Sequence, residues 1–451
     1  MKFKNCLKVM VVLLLLASML FGCEIVPNDD PGTSEEQTTP DEQSAQGSST
    51  LKINGVAVNA YTLVYSKKAA DFGTEAVAYF NKKIERFGEA PESSTETADR
   101  YEILIGQDGG DAAIAAAFQS SPEGFIGVSG KKIFLLGANY GALCQVIDAF
   151  FAKAQGDIKN MEITVAANEA VSVKKDSVKV MSYNILQDWN KEGRPDDFLT
   201  KMADTIRQQD PDVFGTQEST TSLYENSIGT VEGYDYFKGM AHRDSIYLGN
   251  YVYWKSAKFT AVEKGHQFMS DTPNTKSKYE ESNAYRGFTY VFLESKETGN
   301  RFLFICVHTD YRGPVDSNGN SDPTGDVATA LRAKQLRVLT AFLKKAKWAD
   351  VPAIIVGDFN DTPTKVSITS FQNDNYPRIA MTSKVAETKG DTGGTLATNG
   401  FIKRESYIFD YIFVTKDQIN TKYYTVVNNI NPANGKYPSD HLPVFAEIEV
   451  Y

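Results

Sequence analysis

The sequence predicts an α/β protein with two folded parts, the larger of which has two packed β-sheets covered by helices. The chain has 451 residues, of which 42% are hydrophobic, so it is long enough for two domains with separate cores. From Val178 onwards, short apolar runs typical of strands outnumber amphipathic helical stretches. Many strands with few helices between them favour this α+β arrangement over a singly wound parallel sheet.

Residues 1–23 have the pattern of a bacterial lipoprotein signal peptide. Three lysines precede the apolar run 9–21, which is too short to cross a hydrocarbon core ~30 Å thick as a helix. The run ends in Leu-Phe-Gly-Cys23, which resembles the lipobox, where the cysteine is lipidated and becomes the mature N-terminus. We therefore expect export and anchoring to the outer face of a bacterial membrane through Cys23. An ordinary signal peptide and an uncleaved anchor helix are the alternatives.

Residues 24–50 consist mostly of Ser, Thr, Gln, Pro, Asp and Glu, without Lys or Arg. Such a composition cannot bury a core, which predicts a disordered acidic tether between the lipid anchor and the folded part. Downstream of Cys23, only Cys144 and Cys306 remain. They lie in different predicted domains and in apolar runs, so we expect two buried free thiols rather than a disulfide.

Residues 51–170 are predicted to form a small α/β accessory domain. Their rhythm of strands and glycines resembles the accessory domain that precedes some bacterial glycoside hydrolases. No His, Cys or paired carboxylates cluster here, so a structural or docking role is expected. The predicted strands are 51–58, 61–65, 101–105, 124–128 and 132–136, and the predicted helices are 74–86, 111–119 and 140–154.

Residues 178–451 are predicted to form the second domain, in which the candidate chemistry lies. The predicted strands are 178–185, 213–216, 251–254, 288–294, 302–308, 353–356, 407–414 and 444–450, and the clearest helices are 196–209 and 328–345.

Polar side chains stand in or beside many of these strands. Carboxylates and histidines are costly to bury unless they are paired or bind a metal. A single Asp after a strand is usually a cap or turn residue, but six such places in one domain are hard to explain as caps. The sequence therefore predicts one shared site, contributed by Asn184, Glu218, His308, Asp358 with Asn360, Asp410, and Asp440 with His441.

These residues stand in motifs that resemble the endonuclease/exonuclease/phosphatase superfamily, which includes DNase I-like nucleases, abasic-site endonucleases, neutral sphingomyelinases and inositol polyphosphate phosphatases. The match follows the family's order. The resemblance implies a four-layer αββα sandwich whose site lies where the two sheets open at one end. The motifs are Tyr183-Asn184, Gln217-Glu218, His308, Gly357-Asp358-Phe359-Asn360, Asp410-Tyr411 and Ser439-Asp440-His441-Leu442-Pro443-Val444.

The resemblance also implies a divalent cation, Mg²⁺ or Mn²⁺, because the donors are rich in oxygen. Asn184 and Glu218 would hold the cation, and Asp440 would complete its shell or the water network. The motifs leave open whether one or two metal ions act.

The remaining residues of the set would act on water and on the phosphate. Asp358 and Asn360 would orient the attacking water and a phosphate oxygen. His441 would contact the phosphate as an acid, a base or a charge stabiliser, and Asp410 would fix its tautomer.

The resemblance also implies roles for His308, Arg286 and Thr395. His308 would donate to a phosphate oxygen or to the leaving group. Arg286 falls where many relatives place an Arg near the scissile phosphate. Thr395 matches a loop that often reaches the site, although Leu396 follows it where the family commonly has an aromatic residue.

The predicted activity is therefore metal-dependent phosphoester hydrolysis, and a phosphodiester is favoured over a monoester. A net charge of -10 and the lack of a Lys/Arg cluster with interleaved aromatics weaken a nuclease without excluding one. Nucleic acids, phospholipids and sugar phosphates all stay open as substrates, and the oligomeric state is not indicated.

Two alternatives come from other classes. One is a catalytically silent surface lipoprotein that binds carbohydrate or a protein partner, but an abandoned site has no reason to keep all eight residues. The other is a glycoside hydrolase, which needs two carboxyl groups about 5–10 Å apart around a sugar site. The motifs give no independent case for it.

Overall fold

The computed structural model describes residues 51–66, 73–156, 160–187, 193–239, 249–312, 325–349, 351–398, 401–416 and 418–450. The predicted signal peptide, the lipidation site Cys23 and the tether lie outside the described residues. Within the described ranges, no helix combines the length and hydropathy that crossing a membrane requires.

The N-terminal folded part has a six-stranded sheet in the order β4-β3-β5-β7-β6-β9 and a three-stranded sheet in the order β2-β1-β8. The strands are β1 (Leu51–Ile53), β2 (Val56–Ala57), β3 (Thr62–Tyr65), β4 (Glu92–Ser94), β5 (Glu102–Ile105), β6 (Gly124–Ser129), β7 (Lys132–Gly137), β8 (Met161–Ile163) and β9 (Glu169–Ala170). The helices are α1 (Gly73–Ile84), α2 (Ala112–Gln119) and α3 (Tyr140–Ala152), with 3₁₀ turns at Val58–Ala60 and Glu85–Phe87.

The predicted strand 51–58 is in fact divided into β1 and β2. Ile53 pairs with Val56, so only Asn54 and Gly55 form the turn between them. Both have positive φ, 48° and 81°, as a type I′ hairpin turn requires. The Asn-Gly pair is therefore the physical reason for the break.

Residues from Asp176 onwards form two larger sheets. The first sheet has seven strands in the order β12-β13-β11-β10-β24-β23-β19, and the second has six in the order β14-β15-β16-β17-β22-β18. The strands are β10 (Asp176–Asn184), β11 (Val213–Ser219), β12 (Tyr234–Gly239), β13 (Gly249–Lys255), β14 (Phe259–Phe268), β15 (Gly287–Ser295), β16 (Arg301–His308), β17 (Ala353–Asp358), β18 (Ile379–Met381), β19 (Thr388–Lys389), β20 (Ala397–Thr398), β21 (Lys403–Arg404), β22 (Asp410–Thr415), β23 (Ile419–Val426) and β24 (Val444–Val450). The helices are α4 (Phe198–Gln209), α5 (Thr221–Asn226), α6 (Asp326–Leu343), α7 (Val366–Ser370) and α8 (Thr382–Val385), with a 3₁₀ turn at Ile228–Thr230 and a π turn at Phe371–Asn375.

Three apolar clusters show that these elements stack in four layers. The inner faces of the two sheets share one cluster, which joins Val213 of β11 to Phe304 of β16. On the outer face of the first sheet, Ile206 of α4 packs in a cluster with Phe214. On the outer face of the second, Leu339 of α6 belongs to a third cluster. The predicted αββα sandwich is therefore confirmed.

The strand directions explain why polar residues meet at one end. β10 pairs with β11 in parallel, and β16 pairs with β17 in parallel. Because Asn184 at the end of β10 bonds to Asp358 at the end of β17, all four strands end at the same edge of the sandwich. β24 and β22 run antiparallel to β10 and β17, so the residues that open them arrive at that edge too. In the second sheet, Asp410 stands directly opposite Asp358.

The two sheets approach each other closely at Gly215 of β11. A Cβ at this position would lie 2.8 Å from Cys306 Sγ and 2.9 Å from Val356 Cγ2, closer than side chains pack. Glycine is therefore needed there for the sheets to close.

The N-terminal folded part contacts the hairpin between β15 and β16. Gln145 Nε2, on α3, lies 3.4 Å from Asn300 Oδ1 in this hairpin. The guanidinium of Arg301 stacks 3.7 Å above the ring of Tyr140. Since β16 leads from this hairpin to the polar edge, these contacts lie at the opposite end of the sandwich from the candidate site.

Candidate active site

Asn184, at the end of β10, connects the polar residues of the two sheets. Its side-chain nitrogen donates to Asp358 Oδ2 at 3.0 Å and lies 3.3 Å from Glu218 Oε1. The hydroxyl of Ser439 donates to the Asn184 carbonyl at 2.8 Å and accepts from the backbone N–H of His441 at 3.2 Å. This buried asparagine therefore joins the edges of both sheets.

Glu218 reaches the site because β11 bulges. The pairing of β11 with β13 shifts register between Thr216 and Ser219, and Glu218 has a φ of 58°. Bulges redirect side chains near functional sites, and a left-handed non-glycine residue costs about 1–3 kcal/mol. Burial, followed by repulsion from the Asp440 carboxylate, raises the pKa of Glu218.

Asp358 and Asn360 form a tight turn after β17. Asp358 Oδ1 accepts from the backbone N–H of Asn360 at 2.8 Å, and Asn360 has a φ of 52°. The Asn360 side chain donates to the Thr309 carbonyl at 3.2 Å. Burial is the main reason that the pKa of Asp358 rises to about 7; His441 opposes the rise and Asp410 adds to it.

His441 and Asp410 form a buried hydrogen-bonded pair. His441 Nδ1 lies 2.8 Å from Asp410 Oδ2, and because a carboxylate can only accept, Nδ1 is the donor. His441 Nε2 is then directed at Asp358, 3.7 Å from its Oδ2. Burial opposes a charge on this ring, but the carboxylates of Asp410 and Asp358 outweigh it and raise the pKa of His441 well above its ordinary value.

Thr395 stabilises the backbone next to the His441–Asp410 pair. Its hydroxyl accepts from the backbone N–H of Phe409 at 3.0 Å and of Asp410 at 3.3 Å. Its loop also pairs with the histidine segment, since the N–H of Ala397 donates to the Asp440 carbonyl at 2.7 Å. Thr395 therefore positions the pair through the backbone.

His308 has the opposite electrostatic environment to His441. Arg286 Nη1 lies 2.9 Å from its ring nitrogens, and His308 Nε2 lies 3.5 Å from Asp358 Oδ2. Burial, with added repulsion from Arg286 and His441, lowers the pKa of His308 well below its ordinary value. The site therefore holds one cationic and one neutral histidine, and such divergence marks distinct roles in acid–base chemistry.

Arg286 is buried, and its Nε has no hydrogen-bond partner among the described residues. An unsatisfied buried guanidinium N–H suits an anionic ligand such as a phosphate group.

The structure brings all nine predicted residues, including Arg286, to this one edge. Three of them are partly exposed and face solvent, namely Glu218, Asn360 and Asp440. The others are buried behind them, namely Asn184, Arg286, His308, Asp358, Asp410 and His441.

The donors fit a divalent cation at the exposed side. Glu218 and Asp440 repel each other, so a cation between them would remove an unfavourable interaction. Asn184 presents its amide nitrogen to Glu218, so ligation through Oδ1 requires the amide to turn by half a rotation. A second group, Asp358, Asp410 and His441, has potential ligand atoms within 4.8 Å of one another. In that group, His441 Nδ1 already donates to Asp410, so it is not available as a metal ligand while that bond holds.

Arg194, a buried residue after β10 that donates to backbone carbonyls, was not identified from the sequence. Only its place in a Gly-Arg-Pro triplet could have drawn attention to it.

Comparisons with known proteins agree with this geometry. The sequence model of the Endonuclease/Exonuclease/phosphatase family matches residues 181–441. No curated protein matches the chain significantly.

Solved structures that share the fold include the following three. A family protein from Bacteroides thetaiotaomicron is 23% identical with a TM-score of 0.53, and the alignment covers 62% of this chain and 99% of that one. A mannosyl-6-phosphatase from the same species is 24% identical with a TM-score of 0.51, covering 60% and 99%. A family protein from Bacteroides vulgatus is 18% identical with a TM-score of 0.53, covering 61% and 100%.

The family model covers more than half of the chain, and the four-layer fold and the edge site accord with it. Members of this family are phosphoester hydrolases, and the chain belongs to the endonuclease/exonuclease/phosphatase family.

Proposed function

We propose that this protein is a divalent-metal-dependent phosphodiesterase that acts at the outer surface of a bacterial membrane. The observation that carries the proposal is the contact of His441 with Asp410 at 2.8 Å, beside Asp358. A buried acid–base array of this kind next to two repelling carboxylates suits metal-assisted attack of water on phosphorus.

Asn184, Glu218 and Asp440 would hold Mg²⁺ or Mn²⁺. When bound, the cation neutralises charge that develops on the phosphoryl oxygens. Arg286 and the ring N–H of neutral His308 would donate to the same oxygens, and Asn360 would fix the phosphate from the opposite side of the turn.

The protein's own groups would move the protons. Asp358, whose pKa is about 7, accepts a proton from the attacking water while the oxygen of that water bonds to phosphorus. The ester oxygen leaves with the electron pair of its P–O bond and takes a proton from the His441 imidazolium. Asp358 Oδ2 lies 3.7 Å from His441 Nε2, which is beyond direct hydrogen-bond distance, so one bridging water would return the proton to His441 and reset the pair.

The proposed substrates include several classes of phosphate ester. Nucleic acid, phospholipid and sugar-phosphate esters all fit an edge site whose outer residues are a carboxylate pair and an amide. The fold is shared with a mannosyl-6-phosphatase, so a sugar monoester belongs in the test panel. Anchoring through lipidated Cys23 and the tether would hold the site at the cell surface.

The test is a panel of phosphoesters with Mg²⁺, with Mn²⁺ and with EDTA. The panel contains plasmid DNA, RNA, sphingomyelin, inositol phosphates, mannose 6-phosphate and an aryl phosphodiester. We expect metal-dependent release of product from at least one diester. Silence across the panel would favour the alternative, a surface lipoprotein that binds carbohydrate or a protein partner.

Two variants test the site itself. Asp440→Ala and His441→Ala should abolish hydrolysis while the far-UV circular dichroism spectrum stays unchanged. His266→Ala is the matched control, because His266 lies on β14 outside the cluster and should keep full activity. Full activity in either site variant contradicts the assignment.

A further inference from the structure

Arg194 is a buried arginine that joins two separate backbone segments. It is 6% exposed. Its Nε and Nη2 donate to the Pro438 carbonyl at 3.0 and 2.8 Å, and Nη2 also donates to the Ile185 carbonyl at 2.9 Å. Its Nη1 donates to the carbonyl of Leu186 at 2.9 Å and lies 3.3 Å from that of Gln187. One guanidinium therefore bonds to four carbonyls, and Pro438 is 244 positions away in the sequence.

The two joined segments are the ones that carry candidate metal ligands. Residues 185–187 directly follow Asn184, and Pro438 stands two positions before Asp440. The backbone N–H of Gln187 also lies 3.4 Å from Glu218 Oε2. The contacts of Arg194 thus join the loop after β10 to the loop before β24, alongside the hydrogen bond from the Ser439 hydroxyl to the Asn184 carbonyl.

The conformation of the first segment needs such support. Leu186 has a φ of 50°, a backbone conformation that leucine seldom adopts without surrounding constraints. The guanidinium is itself held in place by Phe198 at the start of α4, whose ring lies 3.9 Å below it. Stacking on an aromatic face leaves the planar fork free to donate along its edges.

We propose that Arg194 is a positioning residue for the metal site, and that its planar fork sets the spacing of Asn184 and Glu218 from Asp440. Lysine has three donors at a single point, so it can replace the bonds of Nη2 to Pro438 and Ile185 but not those of Nε and Nη1 as well. The charge alone is therefore not enough. The inference rests on the proposed metal site and adds a residue to it that contacts no ligand or substrate itself.

The experiment measures metal binding directly, by titration calorimetry of the full chain with Mn²⁺ and with Mg²⁺. Arg194→Met and Arg194→Lys should both weaken affinity by about 10- to 100-fold, the usual effect of losing a residue that orients ligands. Arg301→Met is the matched control. Arg301 stacks on Tyr140 and pairs with Glu294 at the far end of the sandwich, so its loss should leave affinity within about twofold.

A second readout separates positioning from general stability. With an active substrate, the Arg194 variants should need more Mg²⁺ for half-maximal rate yet regain most of the wild-type kcat at saturating Mg²⁺. Melting curves in EDTA report folding, and if Arg194→Met does not fold, Arg194→Lys carries the test.

The outcomes are distinguishable. If the wild-type chain binds neither metal, the proposed function fails. If the wild type binds and Arg194→Lys binds equally well, the proposed function stands and this inference is overturned.

Discussion

His441 and Asp410 join the two sheets of the sandwich by a hydrogen bond of 2.8 Å between Nδ1 and Oδ2. Asp410 opens β22 in the second sheet, whereas His441 precedes β24 in the first. The bond therefore links the two sheets at the edge where the candidate site lies. It also fixes the orientation of the ring, with Nε2 towards Asp358.

Replacing Asp410 by asparagine keeps the shape of this contact and removes its charge. The pKa of His441 should fall, because one of the carboxylates that raise it is lost. We expect kcat/KM to drop by roughly 100- to 10,000-fold, the range of general acid–base catalysis. The high-pH limb of the pH–rate profile should also move to lower pH, since the imidazolium is lost sooner. Rates on an aryl phosphodiester from pH 5 to 10 test this.

Asp212→Asn is the control for that experiment. Asp212 is a buried carboxylate paired with Lys255 and Lys258 away from the site, so its loss should leave the pH profile unmoved. An unshifted profile in Asp410→Asn contradicts the role given to the pair.

Above about pH 6.5, the stability of the metal-free protein should fall as the pH rises; below that value the lowered pKa of His308 acts in the opposite direction. A carboxyl whose pKa is higher in the folded state than in the unfolded state stabilises the fold at low pH, and this contribution is lost as pH rises from about 4 through the folded value. Asp358, with a pKa of about 7, and Glu218, with a raised pKa, both act in this direction. The raised pKa of His441 likewise favours the fold most below about 6.5.

Metal binding should reverse this trend, because a divalent cation binds ionised carboxylates. The rise in Tm on adding Mg²⁺ is expected to be larger at pH 8 than at pH 5, measured by differential scanning fluorimetry. Asp358→Asn, as the comparison variant, should flatten the pH dependence in EDTA. Equal Mg²⁺ shifts at the two pH values would count against the carboxylates as ligands.

Glu218 adopts a strained left-handed backbone conformation at its position in the bulge. Glycine adopts its φ of 58° without strain, whereas alanine does not. Glu218→Gly should therefore be more stable than Glu218→Ala by roughly 1 kcal/mol, and both should lack metal-dependent activity. Urea denaturation in EDTA compares them. Alanine and glycine variants of equal stability would show that the left-handed conformation is not retained in solution.

Thr395 offers a test of support through the backbone. Thr395→Val keeps the side-chain shape but leaves the N–H groups of Phe409 and Asp410 without their acceptor, at a cost of about 1–3 kcal/mol. We expect lower stability together with lower kcat. Thr395→Ser retains the hydroxyl and should recover most of the activity, which a purely packing role for the methyl group would not predict.

The two cysteines of the described residues should be inert in the folded protein. Both are buried and free, and burial raises the pKa of each thiol to about 12. Since the thiolate is the reactive form, neither should react with a thiol reagent at pH 8 until denaturant is added. Mass spectrometry of Cys144 and Cys306 peptides identifies the labelled sites. Rapid labelling of either one in native buffer contradicts this packing.

Several strands of the sandwich could not be predicted from apolar patterning. β14 lies at an edge of the second sheet and alternates buried and exposed residues with charged side chains, while β12 lies at an edge of the first. Edge strands are held by backbone pairing and often carry charge, so their sequences resemble loops. β23 escaped detection in the same way, because its apolar side chains are interrupted by polar ones.

The amino-acid sequence alone indicated which side chains form the candidate site, because polar residues in or beside buried apolar runs are costly to bury unless they share partners. The strand directions that bring them to one edge were decided by the fold. The sequence also determined the layering, since each run buries two faces. The tertiary structure decided what those side chains can do. The opposite pKa shifts of His308 and His441, the left-handed Glu218 and the four carbonyls around Arg194 depend on distances between segments up to 244 residues apart. The positions of backbone carbonyls and the local electrostatic fields cannot be read from the amino-acid sequence, because they arise only when folding brings distant segments together.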